Sequence, residues 1–86
     1  MTSPLPIRVM VEDVWDEVNL ELPATTPVGD IKRQALAATH VRQDPSEYII
    51  KYRGAELSDE SQSAAEAGLV PNGALIVLAR RRRPVR

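Results

Sequence analysis

Apolar and polar residues alternate in two early stretches of the chain, residues 7–12 (IRVMVE) and residues 18–22 (VNLEL). Alternation with a period of two is typical of a strand that buries one of its faces. Residues 13–17 (DVWDE) interrupt the pattern, so the two stretches are predicted to form a β-hairpin. Pro23 ends the second strand, because proline cannot donate a hydrogen bond to a neighbouring strand.

A helical period follows the hairpin. Two threonines precede Pro27, and a hydroxyl cap followed by proline at the first helical position is a typical helix start. Val28, Ile31 and Ala35 then recur at the spacing of one helical face, which predicts a helix that runs to about Thr39. The polar residues of the middle turn are predicted to face solvent: Lys32, Arg33 and Gln34.

The second half of the chain predicts three further strands. Residues 48–52 (YIIKY) form the third strand, and residues 53–57 (RGAEL) form a tight turn and a short fourth strand. Residues 64–69 allow one short helical turn, and the continuous apolar run at residues 74–78 (ALIVL) is typical of a strand inside a sheet. The predicted order is β-β-α-β-β-short helix-β, an α+β domain.

Charge is distributed unevenly along the chain. The formal net charge is −1, but five of the eleven basic residues stand in the last seven positions: Arg80, Arg81, Arg82, Arg83 and Arg86. The rest of the chain therefore has six basic groups against all twelve acidic ones, an acidic body with a basic arm. We divide the chain into a flexible leader (residues 1–6), one domain (residues 7–79) and an arginine-rich tail (residues 80–86).

Composition also narrows the function classes. The chain has no cysteine, which excludes disulfides and thiolate metal sites, and it has a single histidine. No stretch approaches the roughly 20 apolar residues of a membrane span, and the first residues lack the pattern of a signal peptide. We therefore expect a cytoplasmic protein without catalytic activity, bound metal or cofactor.

Four segments, in this order and at these spacings, resemble ubiquitin and its relatives over nearly all of residues 7–80. They are the hairpin IRVMV and VNLELP, the helix start TPVGDIK, the strand and glycine turn in YIIKYRGAELSD, and the closing AGLVPNGALIVLAR. The resemblance implies the ubiquitin-like β-grasp fold, with the basic tail appended to it.

The resemblance also implies a binding surface. Ubiquitin binds most partners through an apolar patch formed by the tip of its first hairpin, its third strand and its last strand. The matching positions here are Val14 or Trp15, Lys51 and Leu78. Lys51 replaces a branched aliphatic residue, which disfavours the usual helical receptors because burying an unpaired ammonium is costly. Trp15 is a candidate anchor for a partner, or alternatively covers its own sheet or the aliphatic stems of the tail arginines.

Conjugation of the ubiquitin type uses a C-terminal Gly-Gly, because only glycine threads the narrow channel of an activating enzyme. The four glycines here include no adjacent pair. We therefore expect non-covalent binding of a protein partner in preference to a covalent modifier or sulfur carrier. Size, element order and the missing Gly-Gly resemble the small bacterial YukD/EsaB-type proteins of type VII secretion. An accessory subunit of a multicomponent oxygenase is the alternative.

The arginine tail permits several interpretations. No aromatic residue separates its arginines and the body is acidic, which favours a plain solvated tail over nucleic-acid binding. Attraction to an anionic membrane surface is a third interpretation.

Overall fold

The computed structural model describes residues 4–42 and 44–80. The first three residues of the predicted leader lie outside these ranges. In the predicted tail only Arg80 lies inside them. The predictions for the remaining arginines concern positions outside the described residues: Arg81, Arg82, Arg83 and Arg86.

The described elements follow the predicted order. The strands are β1 (Leu5–Val11), β2 (Asp16–Leu22), β3 (Tyr48–Tyr52), β4 (Ala55–Glu56) and β5 (Gly73–Ala79), and the helix is α1 (Val28–Ala38). Short 3-10 turns at Glu12–Val14 and Pro45–Glu47 precede β2 and β3. The predicted helical turn at residues 64–69 is a hydrogen-bonded turn, in which the Ala67 N–H donates to the Ser63 carbonyl at 2.9 Å.

β1 begins two residues before its predicted start. Leu5 is buried and pairs with Leu22, and the Pro6 carbonyl accepts a hydrogen bond of 2.7 Å from the Asn72 N–H. Proline is tolerated near the beginning of a strand, where fewer donors are needed. Residues 5 and 6 of the predicted leader therefore belong to the sheet.

The strands form one mixed sheet in the order β2-β1-β5-β3-β4. β1 and β5 are parallel, whereas the other pairs are antiparallel. β5 lies in the middle, as its continuous apolar run predicted. Alternate residues of β1, β5 and β3 point to the same side as the buried face of α1 and form an aliphatic core with two tyrosines, whose largest fully buried members include Tyr48, Ile7, Ile31, Ile50 and Leu75.

The start of α1 differs from its prediction. Pro27 is the N-cap residue, not the first helical residue, and no side-chain hydroxyl caps the helix. Instead, the Val28 N–H donates to the Gln62 carbonyl and the Gly29 N–H to the Glu60 carbonyl, both at 2.9 Å. A Cβ on Gly29 would lie 3.2 Å from the Glu60 Cβ and 3.3 Å from its carbonyl oxygen, so the glycine lets this segment approach the helix closely.

The prediction that Lys32 faces solvent is wrong. Its side chain is only 3% exposed, and its Nζ donates to the Tyr48 carbonyl at 2.9 Å and pairs with Glu60 Oε2 at 2.6 Å. The segment that caps α1 brings Glu60 over the helix, and the carboxylate compensates the cost of burying the ammonium. Arg33 and Gln34 are exposed, as predicted.

Candidate functional site

The side of the sheet opposite α1 carries an apolar surface. Because neighbouring residues of a strand point to opposite faces, the residues between the core positions point away from the helix. The four largest apolar side chains among them lie on three adjacent strands, and we call them the outer patch: Met10, Ile49, Ile76 and Leu78. Ile76 is 44% exposed and the other three are half-buried, so solvent reaches all four.

One row of side chains crosses this face from edge to edge. Met10 of β1 and Ile76 of β5 are paired at its centre. Met10 also pairs with Glu17 on β2, while Ile76 pairs with Lys51 on β3. Lys51 is paired in turn with Glu56 on β4. The central row thus reads Glu17, Met10, Ile76, Lys51, Glu56.

The charged residues of this row form no ion pair with one another. Within residues 4–42 and 44–80, neither Lys51 nor Glu17 has a salt-bridge partner, even though Lys51 stands directly opposite Glu56. Lys51 is half-buried between Ile76 on one side and Glu56 on the other.

The tip of the first hairpin borders the outer patch. Val11 pairs with Val77, so the chain that follows Val11 passes the end of β5 next to Leu78. Val14 is exposed and Trp15 is 77% exposed, with its backbone in the left-handed region at φ 51°. The interpretation that Trp15 covers its own sheet is therefore wrong, and its contact with residues 81–86 lies outside the described residues.

A buried tyrosine holds this tip. Tyr48 begins β3 with its side chain fully buried, and its hydroxyl donates a 2.6 Å hydrogen bond to Asp13 Oδ2 in the 3-10 turn. Burial, followed by the hydrogen bond to the Asp13 carboxylate, raises the pKa of Tyr48 to about 12. The bond joins residues 35 positions apart and fixes the turn that presents Trp15.

Arg80 continues the sheet beyond the last residue of β5. Its N–H donates to the Glu47 carbonyl at 2.7 Å, and its Nε donates to the Ser46 carbonyl at 3.3 Å. The first residue of the predicted tail is therefore hydrogen-bonded to the domain.

The structure brings the predicted site residues close to one another. Lys51 and Leu78 lie diagonally on the adjacent strands β3 and β5, and Val14 and Trp15 adjoin the end of β5. Three members of the outer patch were not predicted from the sequence: Met10, Ile49 and Ile76. Each of the three is an apolar residue between two core residues of a strand, and strand alternation therefore predicts that it points to the outer face.

Other kinds of site were sought in the same described ranges. There, histidine and acidic side chains form no group of three that could hold a metal ion. Each fully buried side-chain nitrogen or oxygen in this part of the chain has a hydrogen-bond partner. None of the helices described is long and apolar enough to cross a membrane.

A scan against protein-family profiles gives no match, and a search of curated proteins by sequence gives none either. Solved structures do match. Ubiquitin from Caldiarchaeum subterraneum gives a TM-score of 0.76 at 16% identity, over 92% of this chain and 96% of that one. The C-terminal ubiquitin-like domain of mouse tubulin-specific chaperone E gives 0.76 at 16% identity, over 98% and 94%.

A ubiquitin-like domain from Arabidopsis thaliana gives a TM-score of 0.77 at 15% identity, over 98% of this chain and 85% of that one. Similarity at these identities establishes the fold. The chain has the ubiquitin-like β-grasp fold, which confirms the prediction from the sequence.

Proposed function

We propose that this chain is a protein-interaction module that binds its partner non-covalently, through the outer patch and the hairpin tip, and catalyses no reaction. The exposure of the outer patch is the observation that supports this most. Four apolar side chains lie side by side on strands whose opposite face already forms the core. Contiguous apolar surface of this kind marks sites of protein association.

Trp15 supports the same proposal. A large aromatic residue is an uncommon occupant of the left-handed backbone region, and burial does not compensate its placement here. The hydrogen bond between Tyr48 and Asp13 holds the turn in this conformation. Tryptophan is enriched among the residues that dominate binding energy, so we assign Trp15 as an anchor at the rim of the outer patch.

Lys51 restricts the partner. An apolar surface that covers the outer patch would also desolvate the Lys51 ammonium. Burying an unpaired charge in this way costs on the order of several kcal/mol. A carboxylate on the partner would offset that cost. The proposed partner therefore presents an apolar surface with an acidic group at its side.

For the identity of the partner we propose a component of a bacterial type VII-like secretion machine, encountered in the cytoplasm. The support is the resemblance of size and element order, together with the lack of two adjacent glycines in the chain. The large hydroxylase of a multicomponent oxygenase is the alternative partner, and attraction of the arginine tail to an anionic surface would add to either association.

Affinity capture of the tagged full chain from its native cells tests the proposal. The bound material is divided between a native and a denaturing wash, and mass spectrometry identifies both. We expect the denaturing wash to remove the partner. The Ile76→Glu variant should recover at least about tenfold less of it. The control variant Gln34→Glu, at an exposed position of α1, should recover as much as the wild type. Adducts that survive denaturation would show a covalent modifier, and equal capture by Ile76→Glu would place the site elsewhere.

A further inference from the structure

The central row of the outer face has its negative and positive ends on opposite sides of an apolar centre. Glu17 lies one strand beyond Met10, and Lys51 lies one strand beyond Ile76. Neighbouring strands are about 4.8 Å apart, so the two charges are about 14 Å apart and equally far from the midpoint between β1 and β5. The row is therefore symmetric in position and opposite in charge.

This arrangement is complementary to itself. Consider a two-fold axis in the plane of the outer face, parallel to the strands and passing between β1 and β5. It places each row on its copy in reverse order, so that Met10 faces Ile76 of the second copy and Glu17 faces Lys51 of the second copy. Each contact occurs twice, as an isologous interface requires.

We infer that the outer patch binds a second copy of this chain, an inference that rests on the proposed function for its choice of surface. The residues beside the central row are compatible with the pairing. Arg8 of β1 is paired with Ala74, so the axis places its long side chain over Ala74 of the second copy. The same rotation brings the hairpin tip, with Trp15, toward Ile49 of the second copy.

The unpaired charges favour a second copy over a partner of another kind. In the part of the chain that the structure describes, neither Glu17 nor Lys51 has a salt bridge, and in the dimer each acquires one without any change in the fold. Glu56 lies one strand beyond Lys51, past the edge of the opposing sheet, so no residue of the second copy lies directly opposite it. Pairing also compensates the desolvation of the Lys51 ammonium.

The size of the face is that of a weak interface. Four short strands bury less than about 1,200 Å² in total, which is the range of weak, reversible complexes. The dimer would occupy the surface proposed for other partners, so a partner of higher affinity would displace the second copy.

Sedimentation velocity of the full chain, from about 10 µM to about 1 mM at low salt, tests the inference. We expect the wild type to shift from monomer toward dimer. Lys51→Glu and Glu17→Lys should each raise the dissociation constant at least about tenfold, because both pairs become repulsive. An equimolar mixture of the two variants should regain association, because the mixed dimer has two pairs of opposite sign. Glu21→Lys, the same charge change on the same strand, should have no effect.

A wild type that stays monomeric over this range, or a mixture that does not regain association, would overturn the inference. Circular dichroism of each variant shows that the domain is folded. If the wild type is monomeric while Ile76→Glu still abolishes capture, self-pairing is wrong and the proposed function stands. If Ile76→Glu alters neither association nor capture, both are wrong.

Discussion

The two sides of the sheet each use one of the two lysines in the chain, and they use them in opposite ways. On the helix side, Lys32 is 3% exposed and bonded to Glu60 and to the Tyr48 carbonyl. On the outer face, Lys51 is half-buried beside Ile76 and has no salt bridge with the described residues. The Lys32 ammonium joins three segments of the fold, whereas the Lys51 ammonium joins none of the described segments by a salt bridge.

The difference separates a surface that belongs to the tertiary structure from the surface that we propose for binding. Lys32 is buried because a distant segment brings a carboxylate and closes over it, so its charge is part of the tertiary structure. Lys51 lies between Ile76 and Glu56 on the outer face, and no described segment closes over it. Substitutions on the helix side should therefore change stability, and substitutions on the outer face should change association.

The largest loss of stability is expected from Lys32→Met. It leaves the Glu60 carboxylate, whose side chain is 33% exposed, without its partner and removes the hydrogen bond to the Tyr48 carbonyl. We expect the free energy of unfolding to fall by about 2–3 kcal/mol, less than for a fully buried pair. Lys51→Met is the matched control and should stay within about 0.5 kcal/mol of the wild type in urea denaturation. Equal losses in the two variants would contradict the comparison.

A smaller loss is expected from Tyr48→Phe, which removes the bond that joins the hairpin tip to the core. We expect the free energy of unfolding to fall by about 1–2 kcal/mol, because the hydrogen bond to Asp13 is lost. Chemical denaturation at neutral pH measures the change.

The same tyrosine gives a pH dependence. Its pKa is about 12 in the fold, against about 10 for a free tyrosine. The folded state holds this proton more tightly, so the contribution is complete below pH of about 10 and is lost as the pH rises toward about 12. The decline in the free energy of unfolding over that window should be shallower in Tyr48→Phe, and an unchanged decline would show that other groups cause it.

Gly29→Ala should have a smaller effect again, and its direction is informative. Replacing an exposed glycine inside a helix by alanine raises the free energy of unfolding by about 1 kcal/mol. Here the new Cβ would crowd the Glu60 Cβ and carbonyl oxygen, at 3.2 and 3.3 Å. We expect no gain in the midpoint of thermal unfolding, and a full gain would show that the capping segment moves aside readily.

The smallest effect on stability is expected on the outer face. Ile76→Thr keeps a β-branched residue in β5 and removes apolar surface that is already 44% exposed. The free energy of unfolding should change by less than about 0.5 kcal/mol, while self-association in sedimentation weakens. A large loss of stability would mean that Ile76 belongs to the core.

Local patterns predicted most of the fold. The alternation around Val9 and the apolar run around Leu75 were enough to identify β1 and β5, because the apolar pattern of each strand indicates which of its residues are buried. The start of α1 and the burial of Lys32 were not predictable in this way. Both depend on the backbone and carboxylate of Glu60, about thirty positions away. The residues around the start of α1 do not indicate that contact.

The candidate site was predictable in part. Lys51 and Leu78 followed from the resemblance to ubiquitin and lie diagonally on adjacent strands of the outer face. Met10 and Ile76 were missed because an apolar residue among apolar residues looks like core until strand alternation assigns it to a face. The hydrogen bond between Tyr48 and Asp13, which holds the hairpin tip, could not be predicted from the sequence because it joins residues 35 positions apart.

Amide chemical shifts of the isotope-labelled full chain, followed by NMR as its concentration rises, test the central claim most directly. The outer face should respond as the interface. We expect the shift changes to concentrate on Met10, Ile49, Lys51 and Ile76, with the amides of α1 unchanged. Changes that concentrate on α1 and the segment around Glu60, or no change on the outer face, would contradict the account.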